Sequence, residues 1–153
     1  NNIGFNVLDL RKIIPENFLG LGNMTKSNLS KRIIDDIKKG KAILDCISKF
    51  DVGQSLVIQT GNIIGIEAAQ GTDKLIKDSY NYLNKNEKSI LVKLAKVKQN
   101  LKADLPTIGV KTLKNCKKFG ISGIAYSANK TLFINKQEVL KYCKQNNIFL
   151  YGV

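Results

Sequence analysis

The sequence predicts an α/β fold: a mixed sheet, parallel strands plus an antiparallel hairpin, with helices on both faces in a three-layer sandwich. Three observations predict it. Ile90-Leu91-Val92 is a short apolar run bounded by polar residues, the pattern of a strand buried on both faces; a polar loop and a helical pattern from Val110 follow it. The stretch from Leu56 to Ile66 reads as two strands meeting at Thr60-Gly61-Asn62, a tight-turn signal. Helical and strand patterns then alternate to the last residue over short connections, as in layered α/β domains.

Taken in order, Phe5 to Leu10 alternates weakly and reads as a short strand or an arriving linker. Pro15, Gly20 and Gly22 interrupt the next stretch, so Ile13 to Thr25 is expected to be loop with a helical turn. A helix runs from a cap at Asn28 or Ser30 towards Phe50, with Leu29, Ile33, Ile37, Leu44 and Ile47 near one face and lysines on the wet face. Gly40 weakens that helix locally, by about 1 kcal/mol against alanine. Between Asp51 and Thr60 the period changes, with Leu56 and Ile58 alternating against Val57 and Gln59, and Ile63 to Ile66 returns as the second hairpin strand. A helix follows from about Thr72 to Leu83, its apolar face supplied by Leu75, Ile76, Tyr80 and Leu83. After the central strand and loop, Thr112 to Phe119 is a helix ended by Gly120. Gly123–Tyr126 and Thr131–Ile134 are strands joined by Ser127-Ala128-Asn129-Lys130; Gln137 to Gln145 is a helix, and Phe149–Gly152 a closing strand.

Composition bounds the chemistry. At 153 residues with 43% hydrophobic content, one folded domain is the default. No apolar run approaches the roughly 20 residues of a membrane span. The chain opens on Asn1 and reads as part of a longer protein. Lys and Arg number 25 against 12 Asp and Glu, a net charge of +13 that favours an anionic partner: nucleic acid, an anionic membrane face or a phosphorylated substrate. Cys46, Cys116 and Cys143 are far apart with no CxxC pair, which fits free thiols in a reducing cytoplasm. Histidine is absent, which removes Ser-His-Asp and Cys-His triads, histidine bases and histidine metal sites. Catalysis must therefore rest on carboxylates, lysines, hydroxyls and a bound metal.

Two stretches carry such groups. Beyond the strand at Ile90–Val92 the chain delivers Lys93, Lys96, Gln99, Lys102 and Asp104 within a dozen residues, and Pro106 and Gly109 close the loop. Strand, polar loop, helix is how open α/β sheets build sites, because ligands sit beyond the carboxyl ends of the strands. Lysines suit phosphate as compact point charges, and a loop carboxylate suits a hard cation or a proton. The same stretch also suits a solvated connection in a lysine-rich protein; we read it as an active-site loop. Gly71-Thr72-Asp73 at a helix start is either a cap with a favourably placed acid or a place where backbone N–H groups meet phosphate, with Glu67 and Asp73 holding Mg²⁺.

Three segments then match a known pattern in order: Asp51-Val52-Gly53-Gln54-Ser55; Glu67-Ala68-Ala69-Gln70-Gly71-Thr72-Asp73; and Val92-Lys93 through Lys96 and Gln99 to Asp104-Leu105-Pro106-Thr107-Ile108-Gly109. With Gly123-Ile124-Ala125 and Tyr151-Gly152-Val153, the chain from about Gly4 onward resembles the C-terminal domain of the LpxI-type UDP-2,3-diacylglucosamine pyrophosphatases of lipid A synthesis. The sequence departs from that family at Gln70, where glutamate is common, at Asn100 and Lys102, where aspartate and arginine are frequent, and at Ala95 and Val97, where prolines are usual. Lysine at 102 keeps the charge and loses the bidentate fork.

The resemblance implies Mg²⁺-dependent hydrolysis of the pyrophosphate of UDP-2,3-diacylglucosamine to UMP and 2,3-diacylglucosamine 1-phosphate. It also implies a cytoplasmic location at the inner face of the cytoplasmic membrane, a possible homodimer, and no nucleic acid as partner. Residues 1–25 would be an inter-domain connection and the start of the domain, and 26–153 the C-terminal catalytic domain. An N-terminal Rossmann-like domain would lie outside this chain, leaving the 153-residue piece weakly active or inactive alone. Asp104 is the expected metal ligand or water-activating base, with Asp73 and Glu67 as further metal ligands. Lys93 and Lys96 would bind the phosphates, while Gln54, Ser55, Gly71, Thr72, Gln99 and Thr107 would bind substrate. The alternative is a basic nucleic-acid-binding, membrane-surface or dimerisation module without catalysis, although no lysine-aromatic-glycine strand pattern supports nucleic-acid binding.

Overall fold

A computed structural model describes residues 8–96 and 104–153. The helices are α1 (Leu10–Ile13), α2 (Lys31–Ile47), α3 (Gly71–Ser79), α4 (Val110–Lys118) and α5 (Lys136–Asn146). The strands are β1 (Gly22–Asn23), β2 (Ser55–Gln59), β3 (Asn62–Ile66), β4 (Ser89–Lys93), β5 (Thr107–Ile108), β6 (Gly123–Tyr126), β7 (Leu132–Phe133) and β8 (Phe149–Gly152). Six strands form one sheet in the order β1-β8-β6-β4-β2-β3. Within it β4, β6 and β8 run parallel, and β2, β3 and β1 add antiparallel pairings. The mixed sheet expected from the apolar runs is therefore the one observed.

Alternation along the buried strands divides the core. Leu56, Ile58, Ile90, Val92, Ala125 and Phe149 face α2 through Ile33, Ile37 and Leu44. Val57, Leu91, Ile124 and Leu150 face the other way, onto Leu75 and Ile76 of α3, Leu113 and Cys116 of α4, and Val139 and Cys143 of α5. Among the described residues one helix covers one face and three cover the other, which gives the three layers. Leu91 is fully buried in the second cluster, and Leu91→Ala is expected to lower unfolding free energy by about 3 kcal/mol in urea melts.

Local chemistry explains most boundaries. Ser30, one of the two expected caps, accepts from the Ile33 N–H at 3.4 Å and starts α2. Thr60 and Gly61 both take positive φ (49° and 82°), the two-residue turn that matches the twist of a hairpin. Gly40 has a reason that helix propensity does not show. A β-carbon there would lie 2.8 Å from Val92 Cγ2, so glycine lets α2 seat closely on the sheet.

Three expectations need correcting. The strand or linker over Phe5–Leu10 lies outside the described residues up to position 7. Its end begins a helix, because the Asp9 carboxylate accepts from the Arg11 N–H at 3.1 Å and caps α1. The 13–25 stretch holds a 3-10 turn at Pro15–Asn17 and also the short edge strand β1, which pairs with β8. The strand expected at Thr131–Ile134 shrinks to β7 and leaves the main sheet. It pairs parallel with β5, and the Leu132 and Ile134 N–H groups donate to the carbonyls of Pro106 and Ile108 at 2.9 and 3.0 Å. All three cysteines are free thiols, Cys116 and Cys143 buried, and burial pushes their pKa values up, that of Cys143 to about 12.

Candidate functional site

The site is built where the sheet ends. Lys93 is the last residue of β4, and strand pairing sets it beside Ser55 of β2 and Tyr126 of β6. The Glu67 N–H donates to the Ser55 carbonyl at 2.8 Å and continues this row beyond the end of β3. These positions share parity with Val57, Leu91 and Ile124, so the row belongs to the face under α3, α4 and α5.

The start of α3 closes over that row. Thr72 lies at its second position, and its hydroxyl is the hub: it accepts from Lys93 Nζ at 2.7 Å, donates to Glu67 Oε1 at 2.9 Å, and stands 3.4 Å from Ser55 Oγ. Thr72 therefore does not cap the helix; the cap position is Gln70, which makes no side-chain cap bond. The Gln70 amide is committed to the backbone instead, its Oε1 accepting from the Ala68 N–H at 2.9 Å and its Nε2 donating to the Ile66 carbonyl at 3.0 Å. The Gln70 amide thereby holds the turn into α3.

Lys93 and Glu67 are 7% and 8% exposed, uncommon burial for charged side chains. Burial lowers the Lys93 pKa from 10.5, and the carboxylates of Glu67, then Asp73, then Asp104 act against that shift. Asp73 and Asp104 are thus within electrostatic reach of the Lys93 ammonium. Glu67 Oε2 and Gln54 Oε1 are buried and without a hydrogen-bond partner among the described residues. A buried carboxylate oxygen left without a donor is costly unless a ligand or ion completes it.

The other expected residues sort differently. Lys96 Nζ pairs with Asp51 Oδ1 at 2.5 Å, across the mouth of the loop that leads into β2. Asp73 is partly engaged on α4, accepting from Asn115 Nδ2 at 3.0 Å and pairing with Lys111 at 3.2 Å. Thr107 donates to the Leu105 carbonyl at 3.0 Å and so serves its own turn. Gly71 opens α3 at φ +77°. Gln99 and Lys102, together with Val97 and Asn100, lie outside the described residues. The sequence reading missed Asp51, Lys111 and Asn115. The last two were detectable in principle, since positions four apart on a helix share a face.

Mg²⁺ is tested by its donor set. No three acidic or thiol groups gather as a ligand cluster among the described residues. Mg²⁺ does not require one, because it usually takes one or two carboxylates and completes its shell with water and substrate phosphate. Glu67, with its orphaned oxygen, and the exposed Asp104 fit that requirement. Asp73 would first have to give up Lys111.

Gly53 fixes the position of Glu67. A β-carbon on Gly53 would lie 2.0 Å from the Glu67 carbonyl oxygen, a clash with backbone that no rotamer relieves. Gly53→Ala is expected to cost about 3 kcal/mol of stability, at the upper end of ordinary overpacking. A thermal melt indistinguishable from wild type would contradict that contact.

The profile of the LpxI C-terminal domain matches residues 20–151. UDP-2,3-diacylglucosamine pyrophosphatase LpxI of Caulobacter vibrioides is 26% identical over 156 residues, covering 98% of this chain and 56% of the relative. The chain thus spans little more than half the length of that protein. On the extent of the profile match, this chain belongs to the LpxI C-terminal domain family.

Proposed function

We propose that this chain carries the catalytic rim of a UDP-2,3-diacylglucosamine pyrophosphatase, which cleaves the pyrophosphate to UMP and 2,3-diacylglucosamine 1-phosphate. The observation that supports it best is the Lys93–Thr72–Glu67 chain at the carboxyl edge of the sheet, with Asp104 and Asp73 in electrostatic reach. Hydrolysis of a pyrophosphate needs negative charge neutralised on two phosphates and a water aligned and deprotonated as it attacks.

In this proposal Lys93 supplies a fixed ammonium at the developing charge, oriented by Thr72 and held from below by burial. Little reorganisation is then needed when charge builds on the phosphate oxygens. Asp104 takes the proton of the attacking water; the new P–O bond forms as the bridging P–O bond breaks, and the leaving phosphate departs as a monoester. Lys96 reaches phosphate by exchanging its partner Asp51. Glu67 and Asp104 would hold Mg²⁺, which when bound supplies charge neutralisation on the diphosphate. Among the described residues no helix is long and apolar enough to cross a membrane, and we propose that the basic chain meets its lipid substrate at the anionic inner face of the cytoplasmic membrane.

The test is direct product analysis with the protein as it occurs in the cell. UDP-2,3-diacylglucosamine is expected to give UMP and the sugar 1-phosphate in equal amounts, and chelation of Mg²⁺ is expected to stop the reaction. No release of UMP at any Mg²⁺ concentration would overturn the proposal.

A further inference from the structure

The positive charge of this chain is not spread evenly over its helices. α2 carries five basic residues against three aspartates, and in α3 two lysines meet two aspartates. α4 and α5 differ: together they hold seven lysines and a single acid, Glu138. A chain enriched in lysine without regard to place would carry acids among them on these helices too.

Folding sets the two helices side by side. Leu113 and Cys116 of α4 and Val139 and Cys143 of α5 are buried in one cluster, which leaves Lys111, Lys114, Lys118, Lys141 and Lys144 exposed on the outer side. At the seam Lys117 Nζ donates to the Asn146 carbonyl at 3.3 Å and ties the two helix ends together. Lys111 pairs with Asp73, and no other lysine of α4 or α5 meets a carboxylate at ion-pair distance among the described residues. Aromatic rings mark the far end of α4: Tyr80 and Phe119 pack edge to face at 6.1 Å, with Lys85 and Lys118 at 5.8 and 5.3 Å from their respective ring centroids.

We propose that the outer face of α4 and α5 is the surface by which this protein lies on an anionic bilayer. Charge complementarity carries the assignment, since each lysine brought to an anionic lipid surface raises partitioning by up to about fivefold. Tyrosine beside lysine is also the side-chain chemistry of the headgroup layer. Nucleic acid fits this face less well. Both arginines of the chain, Arg11 and Arg32, lie elsewhere, so the bidentate grip on phosphates and base edges is missing. Tyr80 and Phe119 have each other and an ammonium group against them and offer no free stacking platform. The inference rests on the reading of this chain as acting on a membrane-borne substrate, and it adds which side meets the membrane. The nine residues of α4 span about 14 Å and begin beside Lys111, whose partner Asp73 is in electrostatic reach of Lys93. A bilayer lying along α4 therefore extends to the rim of the site.

The test compares two variants of the full-length protein that lose the same charge. One carries Lys114→Gln, Lys118→Gln, Lys141→Gln and Lys144→Gln; the other carries Lys31→Gln, Lys38→Gln, Lys39→Gln and Lys41→Gln on α2, across the sheet. All eight side chains are exposed, so both variants are expected to melt as wild type does. Wild type is expected to sediment with vesicles of mixed phosphatidylglycerol and phosphatidylcholine, less so as salt screens the charges, and not with phosphatidylcholine alone. The α4–α5 variant is expected to lose about 100-fold in partitioning and the α2 variant no more than about threefold. Lys114→Gln with Lys141→Gln alone is expected to lose about tenfold, which keeps the comparison if the quadruple variant melts early. Equal losses on the two helix faces would make net charge the cause and overturn the proposal. So would failure of wild type to bind anionic vesicles, or RNA binding tighter than vesicle binding and lost with the α4–α5 lysines. Hydrolysis is read separately on detergent-dispersed substrate, where the α4–α5 variant is expected to match wild type. Face-dependent vesicle binding without hydrolysis would keep the membrane face and remove the hydrolase reading; hydrolysis without face-dependent binding would remove the membrane face alone.

Discussion

Lys93→Met is expected to lower turnover about 10³-fold, the effect of removing a preorganised charge aimed at a developing anion. Methionine preserves most of the buried stem, so the loss isolates the ammonium and its bond to Thr72. Stability should also fall, by about 2 kcal/mol, because Glu67 would remain buried with its compensating cation gone. Removing that charge too should restore the melt: Lys93→Met with Glu67→Gln is expected to regain most of the lost stability and none of the lost turnover. A double variant as unstable as the single one would break the link between the two residues.

The same lysine sets a pH dependence. Burial holds its folded pKa below 10.5, the unfolded value. Between those two values the unfolded chain binds more protons than the folded one, so this group makes stability rise with pH across the window just below 10.5. The contribution is present above 10.5 and lost as pH falls through the folded value. Lys93→Met removes it, so the wild-type minus variant difference in unfolding free energy is expected to increase with pH on approaching 10.5. A difference independent of pH there would refute the burial argument.

Asp104→Ala is expected to abolish turnover to about the same 10³-fold extent, the range of a lost general base, while leaving stability within about 0.5 kcal/mol. The contrast with Lys93 follows from burial. Asp104 is exposed, ahead of β5, whereas Lys93 is inside the rim. Asp104→Asn should behave as Asp104→Ala does, because the amide keeps the shape and cannot take a proton at neutral pH. Turnover of Asp104→Ala within a few-fold of wild type would remove Asp104 from the chemistry and leave Lys93 and Glu67 as the centre of the site.

Much of this molecule is written locally. The apolar run at Ile90–Val92, the alternation from Leu56 to Ile58 and the turn at Thr60-Gly61 each state their own structure, because pleat, twist and burial on both faces act over a few residues. The rim position of Lys93 follows as well, since a polar residue ending a buried strand of an open sheet meets the ligand crevice. The type of chemistry is bounded by composition, for a chain without histidine must work with carboxylates and ammonium groups.

What the local pattern leaves open are the partners across space. Gly71-Thr72-Asp73 also reads as a helix cap, and only the approach of α3 to the sheet edge makes Thr72 the hub between Lys93 and Glu67. Gly40 reads as a weakness until Val92 is found beneath it, and nothing near Gly53 in the sequence states that the Glu67 backbone lies against it. The strand at Leu132–Phe133 is correctly apolar, but its partner is β5 and not the main sheet, since hydrophobicity states that a strand is buried and not against what. The sequence by itself determined which elements form and which charges stand at their ends, because those depend on neighbours a few residues away. The tertiary structure alone decided who bonds to whom and which lysines share a face, because register, burial of charge and the seating of one helix beside another arise only when distant segments meet.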